Sequence, residues 1–370
     1  MKKIGVLTFH RANNYGAILQ AYSLYKKIAL MDSNYEVEII NINYKEREIH
    51  DFKKYNLGRF HIRFKSLLNY YRMKRFLKKN IHLSPFKLIN SLEEGIEYIN
   101  HQNYDLVITG SDEVWKTNQQ LSLPNIYWLP SGLNCKKLSY AASANRTPYA
   151  LYPDEVKKTL SEYLMQYTGI SVRDEHTKTL VSTMTEQEIH IVSDPTFLIE
   201  FPAIDLREKI QRAGIDLDKP VIAFMGTNKE LVETYRTNFG PHYEYVSFYQ
   251  HLNGTKFIGN LNPFEFVQVF RYCSLIVTSF FHGTVFSILN KKPFISFEMK
   301  QYKNMESKIH YLLKDAKITD RYFVNDVVLD VDALLNKSAQ LLEKDGFNYD
   351  EFIQKQRHYF EPIEQILRSL

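Results

Sequence analysis

The stretch that decides the fold reads LIVTSFFHGTVFSIL and covers residues 275–289. It opens with a short apolar and β-branched run, turns at a polar and aromatic segment, and continues with apolar residues at helical spacing. A buried strand that leads directly into a helix is typical of a parallel sheet covered by helices. We therefore predict an α/β fold, with a strand at 275–278 and a helix at 283–289.

The same alternation extends over most of the chain. In the first half, short apolar runs predict strands at 4–9, 37–42, 106–109, 138–141, 169–172 and 190–192. After Pro202, a second set predicts strands at 221–225, 243–248, 256–258, 275–278 and 293–297. Between the strands, helical spacing predicts helices that include 17–30, 153–167, 228–239 and 263–272.

The length of 370 residues exceeds the size at which a single core stops growing, so we expect two domains. We predict an N-terminal α/β domain at 1–205, a C-terminal α/β domain at 206–345, and a last helix at 346–370 that could pack back on the first domain. Both domains should be Rossmann-like. They should face a cleft at the carboxyl ends of their strands, which is where open α/β sheets bind ligands.

The net charge of +5 is concentrated in one segment. Residues 45–79 contain 12 Lys and Arg against 3 acidic residues, a local surplus of +9, and aromatic residues are interleaved with them. This pattern predicts a basic, aromatic helical excursion at 45–80. It could contact a membrane peripherally or grip a charged acceptor, or it could be a solvated helix whose aromatic residues face the core. No recognition motif for nucleic acid accompanies it, so nucleic acid is not an expected partner.

Cysteine content and hydropathy indicate the compartment. Cys135 and Cys273 have no disulfide or zinc-site spacing, and no segment has the pattern of a signal peptide or a membrane span. We expect a cytoplasmic protein, either free or peripheral at the inner face of the membrane. Neither a metal nor a redox cofactor is expected, since the sequence has no ligand cluster and no dinucleotide fingerprint.

Two predicted strand ends in the first domain carry candidate binding residues. Asn14, Tyr15 and Gly16 lie where a helix begins, so that segment could hold a phosphate or carboxylate, or could be an ordinary helix cap. After the strand at 106–109, Ser111 or Asp112 could cap a following helix. Alternatively, Asp112 could act as a base, and Trp115 could offer its ring to a sugar.

Two further strand ends carry an arginine and an aspartate. Arg173 ends a strand with a guanidinium suited to bidentate binding of phosphate or carboxylate, although a structural salt bridge to a distant acid is the alternative. Asp194 precedes Pro195, which stops the strand and fixes a turn. Its carboxylate could hold a substrate hydroxyl or serve the turn alone.

His282 is the catalytic candidate of the second domain. It lies near the start of the predicted helix at 283–289, where an imidazole could donate or accept a proton. Gly283 and Thr284 follow, and a residue without a side chain would give a ligand close access to backbone amides. A lone histidine can also be purely structural, but we favour the functional interpretation here.

These segments resemble, in order and spacing, the signatures of the polysaccharide pyruvyl transferase family. The resemblance extends from the first strand to about residue 298 and rests on Asn14-Tyr15-Gly16-Ala17, Gly110-Ser111-Asp112 with Trp115, Tyr140-Ala141-Ala142-Ser143, Ser171-Val172-Arg173, Asp194-Pro195-Thr196, and His282-Gly283-Thr284 followed by Lys292-Pro293-Phe294-Ile295. It implies a fold similar to that of the GT-B glycosyltransferases. It also implies that phosphoenolpyruvate is the donor substrate and a sugar or lipid-linked oligosaccharide the acceptor.

The resemblance also assigns roles. Arg173 resembles the substrate-binding arginine of the family, and His282 its catalytic histidine; Asp112 and Asp194 are our additions on the acceptor side. Many members have an arginine two residues before the histidine, where this chain has Phe280. The missing cation could be replaced by amides at a helix end or by one of three basic residues: Arg11, Arg146 or Lys291. Otherwise, the donor is not phosphoenolpyruvate.

Three functions therefore remain open at the level of sequence. The first is a pyruvyl transferase of cell-surface polysaccharide biosynthesis, for capsule or exopolysaccharide. The second is a GT-B glycosyltransferase that uses a nucleotide sugar, because architecture does not fix chemistry. The third, suggested by Phe280, is a saccharide-binding protein that retained the fold without catalysis.

Overall fold

The computed structural model describes residues 1–11, 14–49, 60–117, 123–148, 150, 152–298, 307–324 and 330–369, with backbone only for 60–67. The chain forms two compact units. Unit 1 comprises Met1–Ile199 with Gln356–Leu370, and unit 2 comprises Glu200–Lys355. The chain leaves unit 1 just after a 3₁₀ turn at Pro195–Phe197 and returns within the helix Tyr349–His358, so both boundaries differ from the predicted ones.

Unit 1 is built on parallel strands, namely β1 (Lys2–Leu7), β2 (Tyr35–Ile39), β3 (Ile42–Tyr44), β4 (Lys87–Ile89), β5 (Leu106–Thr109), β6 (Lys136–Ser139), β7 (Ile170–Val172) and β8 (Ile189–Ile191). The central sheet has the order β2-β1-β5-β6, and β3-β4 and β7-β8 form parallel pairs. Parallel bridges between Leu138 and Gly169 and between Ala142 and Val172 continue the central sheet toward β7 and β8. Six of these strands overlap the predicted ones, whereas β3 and β4 were not predicted.

The helices of unit 1 are α1 (Tyr15–Ala29), α2 (Phe60–Asn80), α3 (Leu92–His101), α4 (Asp154–Leu164) and α5 (Glu175–Ser182). Side-chain caps fix where several of them begin: Asn14, Ser91 and Asp174 accept hydrogen bonds from amides in the first turns of α1, α3 and α5. The unit 1 core includes strand residues such as Leu7 and Val107, and the stacked rings of Trp115 and Trp128.

Unit 2 contains β9 (Val221–Met225), β10 (Glu244–Ser247), β11 (Lys256–Phe257), β12 (Leu275–Thr278), β13 (Phe294–Glu298) and β14 (Tyr322–Val324), all parallel in the order β11-β10-β9-β12-β13-β14. Written in chain order, this is the 3-2-1-4-5-6 arrangement of a dinucleotide-type Rossmann sheet. All residues of β9, β10 and β12 are buried, as expected for strands covered on both faces.

The helices of unit 2 are α6 (Arg207–Arg212), α7 (Lys229–Phe239), α8 (Pro263–Gln268), α9 (Phe281–Leu289), α10 (Lys308–Asp315) and α11 (Val331–Glu343). The chain then continues through α12 (Tyr349–His358) to α13 (Glu361–Arg368), which belongs to unit 1. Within unit 1, the Tyr35 hydroxyl donates to the Leu367 carbonyl at 2.7 Å, and Lys27 pairs with Glu364 at 3.7 Å. These contacts fix the C-terminal helix α13 against β2 and α1.

The predicted basic excursion at 45–80 is described in part. Residues 50–59, and the side chains of 60–67, lie outside the described residues. In the C-terminal part of α2, Phe76 is buried and meets Tyr22 of α1 edge-on at a ring distance of 5.9 Å, whereas Tyr71 is 59% exposed. This part of α2 therefore has one core-facing side and one exposed side. Among the described helices, none is long and apolar enough to cross a membrane.

Candidate functional site

The candidate site of unit 1 follows from its strand order. The chain moves from β1 outward to β2 and then crosses to β5 on the other side of β1, so the order reverses between β1 and β5. Loops that leave the carboxyl ends of such a strand pair diverge, which opens a crevice for ligands. The segments that follow β1 and β5 contain His10, Asn14, Ser111 and Asp112.

Four buried residues of unit 1 meet, and we call them the polar cluster: Gln20, Ser111, Arg173 and Asp194. Ser111 takes part through its backbone carbonyl and the other three through their side chains. Nη1 of Arg173 lies 3.5 Å from Oδ2 of Asp194 and donates to the Ser111 carbonyl at 3.4 Å. The Arg173 and Asp194 side chains are only 3% and 1% exposed. The structure thus shows the salt bridge to a distant acid that the sequence left as an alternative for Arg173.

Asp194 has two structural tasks in this cluster. Its Oδ1 accepts from the amide and the hydroxyl of Thr196, at 3.0 and 2.7 Å, and so caps the 3₁₀ turn. Its Oδ2 faces Arg173 and also accepts from the Gln20 amide group of α1. With these contacts, the carboxylate serves both the turn and the ion pair, so a substrate hydroxyl would have to compete for it.

Gln20 was missed at the level of sequence. It lies in α1 among apolar neighbours and is 1% exposed, and only the fold shows that its side chain reaches Asp194. A polar residue on the buried side of an amphipathic helix was the available signal, because such a group must find a hydrogen-bond partner.

The predicted binding residues at the start of α1 have local roles. The Asn14 side chain accepts from the Gly16 amide at 2.8 Å and caps the helix. Tyr15 is 7% exposed, and its hydroxyl donates to Asn69 of α2 at 3.3 Å. The alternative of a helix cap therefore describes Asn14 and Gly16, and Tyr15 links two helices.

The segment after β5 corrects two predictions. Ser111 and Asp112 do not begin a helix: residues 111–115 form a bend and a turn, and no helix begins within the described residues 111–117. Oδ1 of the partly exposed Asp112 accepts from the Glu113 amide at 2.7 Å. Trp115 is fully buried, stacks on Trp128 at a ring distance of 4.6 Å, and donates from Nε1 to the Tyr127 carbonyl at 3.1 Å. The prediction that Trp115 offers a face to a sugar is wrong, because both its ring and its N–H are used in the core.

In unit 2, the strand order reverses between β9 and β12. The loops that leave these two strands are in contact: the Ser279 hydroxyl donates to the Gly226 carbonyl at 2.7 Å. Gly226 has a φ of +66°, and a side chain there would lie 2.9 Å from the Phe280 ring. This close approach requires glycine and brings the start of α9 to the reversal point.

His282 is the second residue of α9 and is partly exposed. Its ring lies 5.3 Å from that of Phe281 and 5.6 Å from that of Phe286, one turn further along the helix. Phe280 precedes the helix and provides no side-chain cap. The imidazole therefore lies among aromatic neighbours at the carboxyl edge of the sheet, with its Nε2 atom buried.

Gly283 and Thr284 do not have the predicted role. A side chain at Gly283 would lie 2.9 Å from Cβ of Thr278, so glycine is needed for α9 to pack on β12. The amide of Thr284 already bonds the Phe280 carbonyl at 3.1 Å, and its hydroxyl shares a 2.7 Å hydrogen bond with Ser296. Both residues are buried, so they serve helix packing and not access to a ligand.

Phe280, where the resemblance implies an arginine in many members, packs edge-on against Tyr249 at a ring distance of 4.8 Å. Lys291 cannot replace that cation near His282. It follows the other end of α9, roughly 13 Å away by helical rise, and pairs with Asp350. Arg11 pairs with Glu48 at 2.9 Å, which neutralises its charge locally, and Arg146 lies in a turn of unit 1.

Two Rossmann-like parallel sheets in one chain define an α/β protein of the GT-B class, and solved structures share this fold. The UDP-GlcNAc 2-epimerase of Methanocaldococcus jannaschii has a TM-score of 0.59 and 14% identity, with all of both chains covered. That of Neisseria meningitidis, bound to UDP-GlcNAc, has 0.57 and 12%, again with all of both chains covered. Staphylococcus aureus TarM has 0.52 and 12%, covering 100% of this chain and 98% of that one. At such identities, the likeness establishes the fold alone.

The family is established by sequence. The family described as polysaccharide pyruvyl transferase matches residues 14–301, well over half of the chain. This chain therefore belongs to the polysaccharide pyruvyl transferase family and is a transferase that modifies polysaccharide. No curated protein matches it in sequence.

Proposed function

We propose that this chain transfers the pyruvyl group of phosphoenolpyruvate to two hydroxyls of a sugar, forming a pyruvate ketal during biosynthesis of capsule or exopolysaccharide. The observation that carries the proposal is the position of His282. It is partly exposed at the start of α9, where the Rossmann order of unit 2 reverses, in a chain of the pyruvyl transferase family. The acceptor is a sugar, either free or lipid-linked.

The reaction defines what the residues must do. Protonation of the methylene carbon of phosphoenolpyruvate creates positive character at C2, and a first sugar hydroxyl attacks there. The C–O bond to phosphate breaks, and a second hydroxyl closes the ketal. Of the two hydroxyl protons, one is balanced by the new methyl group and the other leaves with phosphate. The chemistry uses general acids and bases and requires no redox cofactor.

In this proposal, His282 protonates the methylene carbon. Asp112 receives a proton from the acceptor hydroxyl, since its carboxylate is partly exposed after β5. Arg173 is proposed to help bind the substrate in unit 1 while its guanidinium stays paired with Asp194, at 3.5 Å. Peripheral contact of α2 with a membrane remains a prediction.

The direct test measures phosphate release from phosphoenolpyruvate with and without a panel of acceptor saccharides. We expect release that depends on the acceptor and is lost in His282→Ala. The matched control is His242→Ala, because His242 is an exposed histidine just before β10, at the opposite edge of the same sheet. Full turnover in His282→Ala would remove this mechanism.

A nucleotide-sugar glycosyltransferase is the second candidate, because TarM, which shares the fold, was solved with UDP. Thermal unfolding separates the two. Stabilisation by phosphoenolpyruvate but not by UDP supports the pyruvyl transferase, and the reverse result supports the glycosyltransferase. Saccharide binding without turnover of either donor would indicate a non-catalytic member of the family.

A further inference from the structure

A small polar pocket lies at the carboxyl end of β1 in unit 1, between the segment that follows β1 and the residues of and after β3. Its lining includes Thr8, His10, Arg11, Asn43 and Arg47, and its volume is about 10 Å³. That is about the volume needed for one water-sized oxygen. Arg47 reaches it from a helical turn at 45–49 that follows β3.

Two hydrogen-bond donors of this pocket lack partners among the described residues. Thr8 is 2% exposed, and its buried hydroxyl has no hydrogen-bond partner there. The buried Nη1 of Arg47 also has no hydrogen-bond partner there. Buried polar groups without partners are rare in folded proteins, since each forfeits its hydration without compensation. Both groups can donate to an oxygen.

The charge of the pocket has the matching sign. Glu48 is occupied by Arg11, from Nη2 at 2.9 Å, and by Asn43, at 2.6 Å. Arg47 is not paired with a carboxylate among the described ion pairs, and its guanidinium lies 3.5 Å from the centre of the Phe9 ring. Two arginines against one glutamate leave one positive charge, held in place by an aromatic ring.

His10 does not offer a free ring nitrogen to the pocket. Its Nδ1 lies 3.0 Å from the Thr8 carbonyl and its Nε2 lies 3.1 Å from Oδ1 of Asn41. Burial lowers the pKa of His10, and the neighbouring arginines lower it further. Thr8 and Arg47 therefore remain as the donors that a ligand in the pocket can meet.

We propose that Arg47 and Thr8 form an oxyanion-binding site, which takes one oxygen of a phosphate or carboxylate group. An anionic oxygen would accept hydrogen bonds from both donors and would also neutralise the local positive charge. A water molecule could accept the hydrogen bonds but could not neutralise the charge. The site lies at the carboxyl end of a central strand, the edge at which open α/β sheets bind their ligands, and it does not depend on the identity of the proposed donor.

Isothermal titration calorimetry of the full chain with inorganic phosphate and, separately, with pyruvate tests the proposal and distinguishes the two anion classes. We expect binding of at least one probe, weakened about ten- to a hundredfold in Arg47→Gln. Arg75→Gln removes the same charge from an exposed position of α2 and should bind like the wild type.

Thr8→Val provides a second, independent signature. It should weaken binding of the same probe and raise the thermal unfolding midpoint of the ligand-free protein, because it removes a buried hydroxyl that lacks a partner. Binding by a folded Arg47→Gln variant that equals the wild type would overturn the proposal. The proposal would also be overturned if neither probe bound, because the pocket would then hold a single water molecule only.

Discussion

The guanidinium of Arg173 and the carboxylate of Asp194 form a buried ion pair in unit 1, with Nη1 and Oδ2 3.5 Å apart. The two residues are 21 positions apart in sequence and follow neighbouring strands, β7 and β8. Both side chains are almost fully shielded from water. The pair therefore ties two loops of the carboxyl edge together, and each partner depends on the other for its charge compensation.

We expect Asp194→Ala to lower the free energy of unfolding of unit 1 by about 3–5 kcal/mol, because it leaves the Arg173 charge buried and uncompensated. Urea unfolding monitored by circular dichroism measures the change. The control is Glu208→Ala, whose carboxylate pairs with Arg212 on the surface, where both side chains are more than 75% exposed. That change should cost less than about 1 kcal/mol.

Replacing both partners of the buried pair, as in Arg173→Met with Asp194→Leu, should cost less than the sum of the single changes. Removing two charges together leaves neither one unpaired. Strict additivity in this double-mutant cycle would show that the two side chains do not interact.

A methyl group at position 283 should destabilise unit 2. In Gly283→Ala, the new Cβ would lie 2.9 Å from Cβ of Thr278 on β12, so α9 would have to move away from the sheet. We expect a loss of about 1–3 kcal/mol in unfolding free energy, measured by differential scanning calorimetry. Gly346→Ala is the control, since nothing lies within 4 Å of a Cβ there. Equal stability of the two variants would contradict this account of Gly283.

The free energy of unfolding should fall as the pH is lowered, because of His10. Burial lowers the pKa of its imidazole below the ordinary value of 6.5. Below about pH 6.5, the imidazole of the unfolded chain binds a proton that the folded chain does not bind. The stabilisation by the neutral His10 is therefore complete above that pH and is lost as the pH falls toward the lowered pKa. The slope contributed by one such group is at most about 1.4 kcal/mol per pH unit.

The variant His10→Gln should flatten this dependence between about pH 7 and about pH 5, as measured by urea unfolding at several pH values. His242→Gln, which changes an exposed histidine, should leave the slope as in the wild type. If both variants have the wild-type slope, His10 is not the titrating group.

Phe280→Arg should improve binding of phosphoenolpyruvate under the proposed function. The new guanidinium would lie directly before α9, two residues from His282, and could contact an anionic group of the donor. We expect the KM for phosphoenolpyruvate to fall about tenfold, as one charge-assisted contact would provide. Phe280→Leu controls for loss of the 4.8 Å contact with Tyr249. An unchanged KM in a folded Phe280→Arg variant would place the donor anion elsewhere.

The sequence predicted the architecture well, because alternating apolar runs and helical patterns report local burial. Strands such as β9 and β12 match the predicted ranges, and the motif order identified the family that residues 14–301 match. The short strands β3, β4 and β14 were missed. The strands β7 and β8 also have three residues and were predicted, so length alone does not explain the difference. Side-chain roles were predicted less well than elements.

The sequence by itself determined the α/β fold, the family and the position of His282 at a helix start. The strands and helices follow from local patterns, and the family follows from the order of short motifs along residues 14–301. Only the tertiary structure decided that Arg173 pairs with Asp194, that Trp115 stacks in the core, and that Thr8 and Arg47 share a pocket. The physical reason is that charge pairing, burial and hydrogen-bond satisfaction depend on residues brought together from distant strands, and spacing along one strand or helix does not report them.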